Sequence, residues 1–262
     1  MNPNEKFIDA IKNYNLWLEM AISKIRVRFI RTALGPIWEV LGTLIFLIFI
    51  SVVWSKLWKI PFIEFFLYLY PGFIIWKAIY SVIVDGTYLF SDTYSSHFEN
   101  VKVHPIVFCL AHAAKNFIVL LFSFPIVLII VFYSGSLHVY TLILIPFFLL
   151  LFFITSVAVT FIIATFCLKY RDLQFSIAVF LSLAFFITPV IWQVEQLGEK
   201  SQRFLIEPNL IYHYIEFFRS SFINGNVNEL SLNIVIITTL LTCLIAFITY
   251  KFVKNKLAFW IT

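Results

Sequence analysis

Two lysines, Lys77 and Lys115, lie within long apolar runs of the sequence. A charged group inside a membrane-spanning helix is costly and tends to face protein interior or water, so each lysine indicates a functional position. At about 1.5 Å per residue, both lie roughly 12–15 Å from the cytoplasmic ends expected for their helices. With Arg28 and Arg31 at the surface, they could form a cationic cleft that receives an anionic group. The alternative is snorkelling, in which each stem lies in lipid and the ammonium group reaches the headgroups.

A second candidate site is aromatic and follows the fifth long apolar run. The interval Gln193–Leu230 carries too much aromatic area for a water-exposed loop. A re-entrant or interfacial helix explains it better, provided that its backbone is buried in protein or lines a cavity. We expect this segment to close the outer mouth of a pathway, with Glu216 and Arg219 one helical turn apart and able to pair. The apolar plug would consist of Tyr212, Tyr214, Phe217 and Phe218.

A third candidate is a short polar helix on the cytoplasmic side. Ser96 is followed by Glu99 three residues later, which is the form of a capping box. Pro105 then disfavours helical backbone in the residue before it, so we predict a helix of about two turns that ends there. A plain loop helix is the alternative. The candidate residues are Ser96, His97, Phe98, Glu99, Asn100 and Lys102.

Signatures of catalysis and of nucleotide or metal binding are absent from the sequence. It contains no Gly-x-x-x-x-Gly-Lys-Ser/Thr pattern, so there is no P-loop to bind ATP phosphates. It contains no His-Glu-x-x-His, and carboxylates such as Asp85 and Asp172 stand isolated, best explained as solvated or locally paired. The three cysteines are separated by dozens of residues, which indicates neither a metal site nor a disulfide framework. We therefore expect no enzyme activity and no cofactor on this chain.

The composition is that of an integral membrane protein. Of the 262 residues, 61% are hydrophobic and 13% are charged, whereas a soluble domain has about 25% charged residues. The net charge of +5 fits orientation signals and an anionic substrate or lipid surface rather than nucleic acid. Residues 1–36 lack a continuous apolar core, so no cleavable signal peptide is predicted.

Six apolar runs approach the roughly 20 residues that a membrane-spanning helix needs, so the predicted fold class is all-α integral membrane. Lys and Arg are concentrated in the segments predicted to lie inside, which places both termini in the cytoplasm. The predicted spans form one domain of residues 37–262 and cover residues 37–55, 62–84, 106–133, 140–168, 175–192 and 231–250.

Residues 1–36 are predicted to form an amphipathic helix on the cytoplasmic face. Asn2, Pro3 and Glu5 have the order of a helix start, and apolar residues then follow at spacings of three and four, as on one stripe of a helix. An ordinary helix packed on a soluble partner is the alternative. The pair Gly35-Pro36 interrupts the backbone, so we expect a hinge before the first span. The stripe consists of Phe7, Ile11, Tyr14, Leu18, Ile22, Ile25 and Phe29.

Three motifs carry a resemblance to a known family: Arg26–Trp38 before the first span, Lys169–Leu173 after the fourth, and Glu207–Arg219 before the last. Together they resemble the ABC-2-type permeases of polysaccharide export, from about residue 15 to the end, and permeases for capsule and teichoic acid are similar. The resemblance implies a homodimer with six spans per subunit, paired with two copies of a separate ABC ATPase that binds ATP and Mg²⁺. It also implies export of a polyprenyl-diphosphate-linked glycan, such as lipopolysaccharide O-antigen, across the bacterial inner membrane.

The resemblance also gives roles to the candidate sites. The cationic cleft of Lys77, Lys115, Arg28 and Arg31 would receive the lipid diphosphate, and Coulomb attraction would offset the cost of the buried charges. The short helix that contains Ser96 and Glu99 would be the coupling element that receives motion from the ATPase. Aromatic side chains suit a glycan path because sugar rings stack on them through C–H faces, although most of the 32 Phe must face lipid or neighbouring helices. Two alternatives remain open. An ABC-2 exporter of a small molecule or another lipid shares this architecture, and a polyprenyl-lipid membrane enzyme would need an acidic site that the sequence lacks.

Overall fold

The computed structural model describes residues 3–91, 103–134, 139–223 and 227–254. These residues contain helices and no strand, so the chain is all-α as predicted. The longer helices, in chain order, are α1 (Pro3–Lys12), α2 (Tyr14–Arg28), α3 (Ile37–Trp58), α4 (Phe62–Thr87), α5 (Pro105–Ser134), α6 (Val139–Lys169), α7 (Asp172–Ile187), α8 (Leu210–Ile223) and α9 (Glu229–Val253).

Within the described residues, five helices are long and apolar enough to cross a membrane, namely α3, α4, α5, α6 and α9. Their ends lie within three residues of the predicted bounds, because each span is a long, predominantly apolar run with polar flanks. Prolines 71, 125 and 146 lie inside α4, α5 and α6. Spanning helices tolerate such prolines where neighbouring groups satisfy the freed backbone carbonyls. The chain is thus a multi-pass membrane protein.

The predicted span over residues 175–192 is not confirmed at that length. Helix α7 has 16 residues, which is about 24 Å against a hydrocarbon core of roughly 30 Å. It ends because Thr188 precedes Pro189, whose ring disfavours helical backbone in the residue before it. Thr188 accordingly has an extended conformation, with ψ at 133°. The apolar run continues past this stop, which is why hydropathy alone extends the span to Trp192.

The N-terminal segment forms two helices rather than one. The backbone leaves the helical conformation at Asn13, with ψ at 60°, so the apolar stripe does not continue in phase from α1 to α2. Helix α2 packs along α5 and buries Ala21 and Ile25, with Trp17 half-buried beside them. Other members of the predicted stripe, such as Ile22, remain exposed. The face that packs therefore includes only part of the predicted stripe, namely Ile25.

The connection between α2 and α3 lies where the Gly35-Pro36 pair predicts a hinge. Gly35 has a φ of 56° and Arg31 a φ of 66°. Such left-handed backbone is readily adopted by glycine and less readily by arginine. Helix α3 then begins at Ile37, directly after Pro36.

The aromatic segment after α7 folds against the bundle. Short turns over Val194–Gln196, Glu199–Ser201 and Gln202–Ile206 lead into α8. Helix α8 packs on α4, α6 and α9, and nine of its fourteen residues are buried. This burial accounts for the aromatic composition that is unsuited to an exposed loop.

Candidate functional site

A cavity of about 710 Å³ lies between α3, α4 and α7. Phe73 of α4 bridges its walls, with its ring centroid 5.5 Å from Phe46 of α3 and 6.2 Å from Phe185 of α7. The volume falls within the range of about 300–1,000 Å³ that is typical of ligand pockets. Its aromatic lining consists of Trp38, Phe46, Phe73, Trp76, Tyr80, Phe185 and Phe186, and its polar lining includes Glu39, Thr43, Lys77 and Ser182.

Charged side chains meet at the wall formed by α3 and α4. The Nζ of Lys77 lies 2.7 Å from Oε1 of Glu39, and the guanidinium of Arg28 lies 2.9 Å from Oε2 of the same carboxylate. Lys77 also donates to the hydroxyl of Thr43 at 2.6 Å. The structure therefore brings together two of the predicted cations, Arg28 and Lys77, through a carboxylate that the sequence analysis does not single out. Lys77 therefore contacts α3 through both Glu39 and Thr43.

The other two predicted cations lie elsewhere. Arg31 is exposed in the connection between α2 and α3. Lys115 of α5 donates to Oδ2 of Asp85 on α4 at 2.9 Å, and the Ser81 hydroxyl lies 2.7 Å from the same oxygen. Asp85 is therefore not isolated but holds α4 to α5. Because Asp85 lies eight residues beyond Lys77, or about 12 Å along the helix, the two lysines belong to separate ion-paired groups.

The predicted coupling helix, which contains Ser96, His97, Phe98, Glu99, Asn100 and Lys102, lies outside the described residues. The chain is described again from Val103. His104 accepts from the backbone N–H of Ile106 through Nδ1, at 3.3 Å, and its Nε2 lies 3.1 Å from the hydroxyl of Tyr250. The nitrogen that accepts fixes the tautomer, so Nε2 donates to Tyr250 and ties the start of α5 to the end of α9.

Arg219 is the central residue of the segment between α7 and α9. Its guanidinium lies 3.7 Å from the ring centroid of Tyr68 on α4 and donates to the carbonyls of Pro189 at 3.2 Å and Val190 at 3.3 Å. A Cβ added to Gly72 would overlap the same guanidinium. We call Tyr68, Gly72 and Arg219 the arginine clasp. It holds the connection after α7 against α4.

Two further contacts secure that connection. The Tyr68 hydroxyl donates to the carbonyl of Trp192 at 2.9 Å. Asn209 accepts from the N–H of Tyr212 at 3.1 Å, which caps the first turn of α8, and donates to the hydroxyl of Thr188 at 2.9 Å. Side chains of α4 and α8 thus donate to three backbone carbonyls of the irregular connection after α7, those of Pro189, Val190 and Trp192.

The remaining predicted gate residues pack into the bundle. Glu216 and Arg219 form an ion pair at 3.8 Å, which is longer than the contacts within the clasp. Phe217 and Phe218 are fully buried, and each ring centroid lies 5.2 Å from that of Phe148 on α6. Tyr212 is half-buried. Tyr214 is buried, with its hydroxyl within hydrogen-bonding distance of Thr155, Thr238 and Thr239.

Comparison with known proteins identifies the family of this chain. A family profile described as ABC-2 type transporter matches residues 18–223. The chain is 21% identical over 247 residues to the O-antigen export system permease protein RfbA of Klebsiella pneumoniae, with 94% of each chain covered. It is 24% identical over 195 residues to the protein of the same name from Myxococcus xanthus, with 73% of each chain covered. The profile includes the cationic wall of the cavity, the connection after α7 and α8. The chain therefore belongs to the ABC-2 type transporter family.

Proposed function

We propose that this chain is the membrane permease subunit of an exporter that moves a polyprenyl-diphosphate-linked polysaccharide of the O-antigen type across the bacterial inner membrane. The observation that carries the proposal is similarity over 94% of both chains to a permease named for O-antigen export, within the ABC-2 type transporter family. The cavity supports it, since cations beside aromatic rings suit a lipid that joins phosphates to sugars.

The proposed assembly is a homodimer with two copies of a separate ATPase that binds ATP and Mg²⁺. Both termini would lie in the cytoplasm, and α7 with its following connection would form the sixth crossing. Irregular backbone is tolerated at membrane depth only where protein satisfies its polar groups. Tyr68, Arg219 and Asn209 supply partners to the connection after α7, and this supports its placement within the membrane.

We place the substrate's phosphates at Arg28 and Lys77, with Arg31 at the surface in reach of an approaching headgroup. The aromatic walls of the cavity would then contact the prenyl chain or the first sugars. Lys115 is held by Asp85, so we assign it to the packing of α4 on α5 rather than to the cleft. Membrane lipids cover the outer faces of the spans.

The segment from α7 to α9 closes the outer mouth of the pathway in this proposal. Phe217 is fully buried, whereas Phe204 on the preceding turn is 79% exposed. We therefore expect a cysteine at position 217 to react slowly with an impermeant thiol reagent in the resting complex, while a cysteine at position 204 reacts fast. Labelling is measured by mass shift in a background that lacks the three native cysteines. Equal fast rates at both positions would mean that α8 is an exposed loop helix.

The short helix predicted over Ser96–His104 is proposed to receive motion from the ATPase. Replacing Phe98 or Glu99 with alanine should lower export and weaken ATPase binding, because a coupling helix acts through direct contact. Co-purification of the ATPase and glycan export are the two readouts. If both variants retain wild-type levels of each, the segment is a plain loop helix.

Deletion of the chain tests the proposed function directly. In cells that lack it, lipid-linked polysaccharide should accumulate on the cytoplasmic side and disappear from the surface, and plasmid-borne chain should restore it. Normal surface polysaccharide after deletion would contradict the proposal and favour an exporter of another lipid or a small molecule.

A further inference from the structure

Glu39 is a carboxylate built into the proposed phosphate site. It lies in the first turn of α3, lines the cavity, and has a side chain that is 15% exposed. One of its oxygens contacts Lys77 and the other contacts Arg28, at 2.7 Å and 2.9 Å. In this arrangement the carboxylate forms ion pairs with both cations, at the position where a phosphate would bind.

Lys77 is held in place independently of that carboxylate. Its Nζ donates to the hydroxyl of Thr43 at 2.6 Å, and Thr43 donates in turn to the backbone carbonyl of Glu39 at 2.8 Å. Neither bond uses the Glu39 side chain. The carboxylate can therefore rotate away while Lys77 keeps its position, so that the cation is ready for another anion.

The charges of the site distinguish two classes of lipid. With Glu39 in place, its carboxylate neutralises one of the two positive charges of Arg28 and Lys77, and with Glu39 rotated away both positive charges face the cavity unpaired. An ordinary phospholipid such as phosphatidylglycerol offers one phosphate with one negative charge. A lipid-diphosphate-sugar is a diester of diphosphate, with one negative charge on each of its two phosphate groups. The second class alone matches both cations once the carboxylate has left.

We propose that Glu39 is a specificity-determining residue that excludes single-phosphate lipids from the site and yields to a diphosphate. A tethered carboxylate competes at a high effective concentration, of the order of millimolar or above. A lipid must therefore replace both of its charge-assisted contacts to displace it. This matters because bulk phospholipids vastly outnumber the substrate in a membrane. The inference rests on the proposed function, since it assumes that a diphosphate lipid binds here.

The test compares wild type with Glu39→Gln, each as purified full-length complex in phosphatidylcholine nanodiscs. The probe is a fluorescent polyprenyl-diphosphate-N-acetylglucosamine, and phosphatidylglycerol is the competitor. In wild type, phosphatidylglycerol should weaken probe binding less than about twofold, and in Glu39→Gln by about tenfold or more, which corresponds to one lost charge-assisted contact. Glu64→Gln is the control, because Glu64 is an exposed carboxylate in the first turn of the next helix.

The outcomes separate this inference from the proposed function. If Glu39→Gln discriminates as well as wild type, Glu39 does not set specificity and the inference is overturned. If wild type fails to bind the probe above its binding to empty nanodiscs, the proposed diphosphate site itself is wrong. Glu39→Asp keeps the charge but is too short to contact both cations. It should therefore show intermediate competition, and it provides the same comparison if Glu39→Gln does not assemble.

Discussion

Replacing Arg219 with leucine is expected to abolish export and to lower the stability of the folded chain by about 3–5 kcal/mol. The change removes the guanidinium that donates to the buried carbonyls of Pro189 and Val190, of which Pro189 keeps only the longer contact with the Tyr68 hydroxyl, and it leaves Glu216 without its ion-pair partner. Arg219→Lys should be only partly tolerated, because an ammonium lacks the planar fork that stacks on Tyr68 and reaches two carbonyls. Thermal unfolding in detergent and surface glycan in cells are the measurements.

Arg203→Leu is the matched control, since Arg203 is an exposed arginine in the same segment between α7 and α9. It should leave both stability and export near wild type. Gly72→Ala tests the clasp without removing Arg219. The added Cβ overlaps the Arg219 guanidinium, so we expect a loss of stability of about 1–3 kcal/mol from overpacking. Gly198→Ala, where an added Cβ meets nothing within 4 Å, should leave the stability unchanged. If Arg219→Leu and Gly72→Ala both have wild-type stability, the clasp does not hold the connection after α7 against α4.

Replacing Lys77 with methionine is expected to reduce export about ten- to hundredfold while assembly with the ATPase persists. A charge-assisted hydrogen bond contributes about 1.5–3 kcal/mol, and each 1.4 kcal/mol is tenfold in binding. The methionine keeps the length of the apolar stem, so packing around the cavity is retained. Lys77→Arg should recover much of the activity, because the positive charge remains. Export, ATP hydrolysis and co-purification are measured on the same preparations.

Lys115→Met provides the contrast, since this lysine is paired with Asp85 rather than directed into the cavity. It should lower the melting temperature of the chain without a selective loss of substrate binding. Selective loss of export in Lys115→Met, with Lys77→Met normal, would move the phosphate site to the α4–α5 interface. Normal export in both variants would place the site elsewhere in the chain.

The five confirmed spans were predictable because an apolar run of about 20 residues is long enough to cross the bilayer as a helix. The end of α7 was also encoded, by Thr188 before Pro189, but the apolar run beyond it obscured the stop. Asn209 had a readable signal as well, as a capping residue before an apolar helix. These features depend on residues adjacent in sequence.

The partners of the charged groups were not predictable in the same way. That Lys77 meets Glu39 while Lys115 meets Asp85 depends on how α3, α4 and α5 are rotated about their axes. Spacing along the chain does not set those rotations. The i,i+3 pair of Glu216 with Arg219 was visible from spacing, but the stronger contacts of Arg219 are with Tyr68 and the connection after α7. Long-range contacts of this kind come from tertiary packing alone.

Transport by the reconstituted complex is the most direct test that this chain exports a lipid-linked polysaccharide. Proteoliposomes that contain this chain and its ATPase are loaded with polyprenyl-diphosphate-linked polysaccharide, and the glycan that becomes accessible on the far side is measured with a membrane-impermeant glycosidase. We expect the amount of accessible glycan to increase only when ATP and both subunits are present, and Lys77→Met to reduce this increase strongly. ATP hydrolysis by the assembled complex with no movement of the glycan would contradict it.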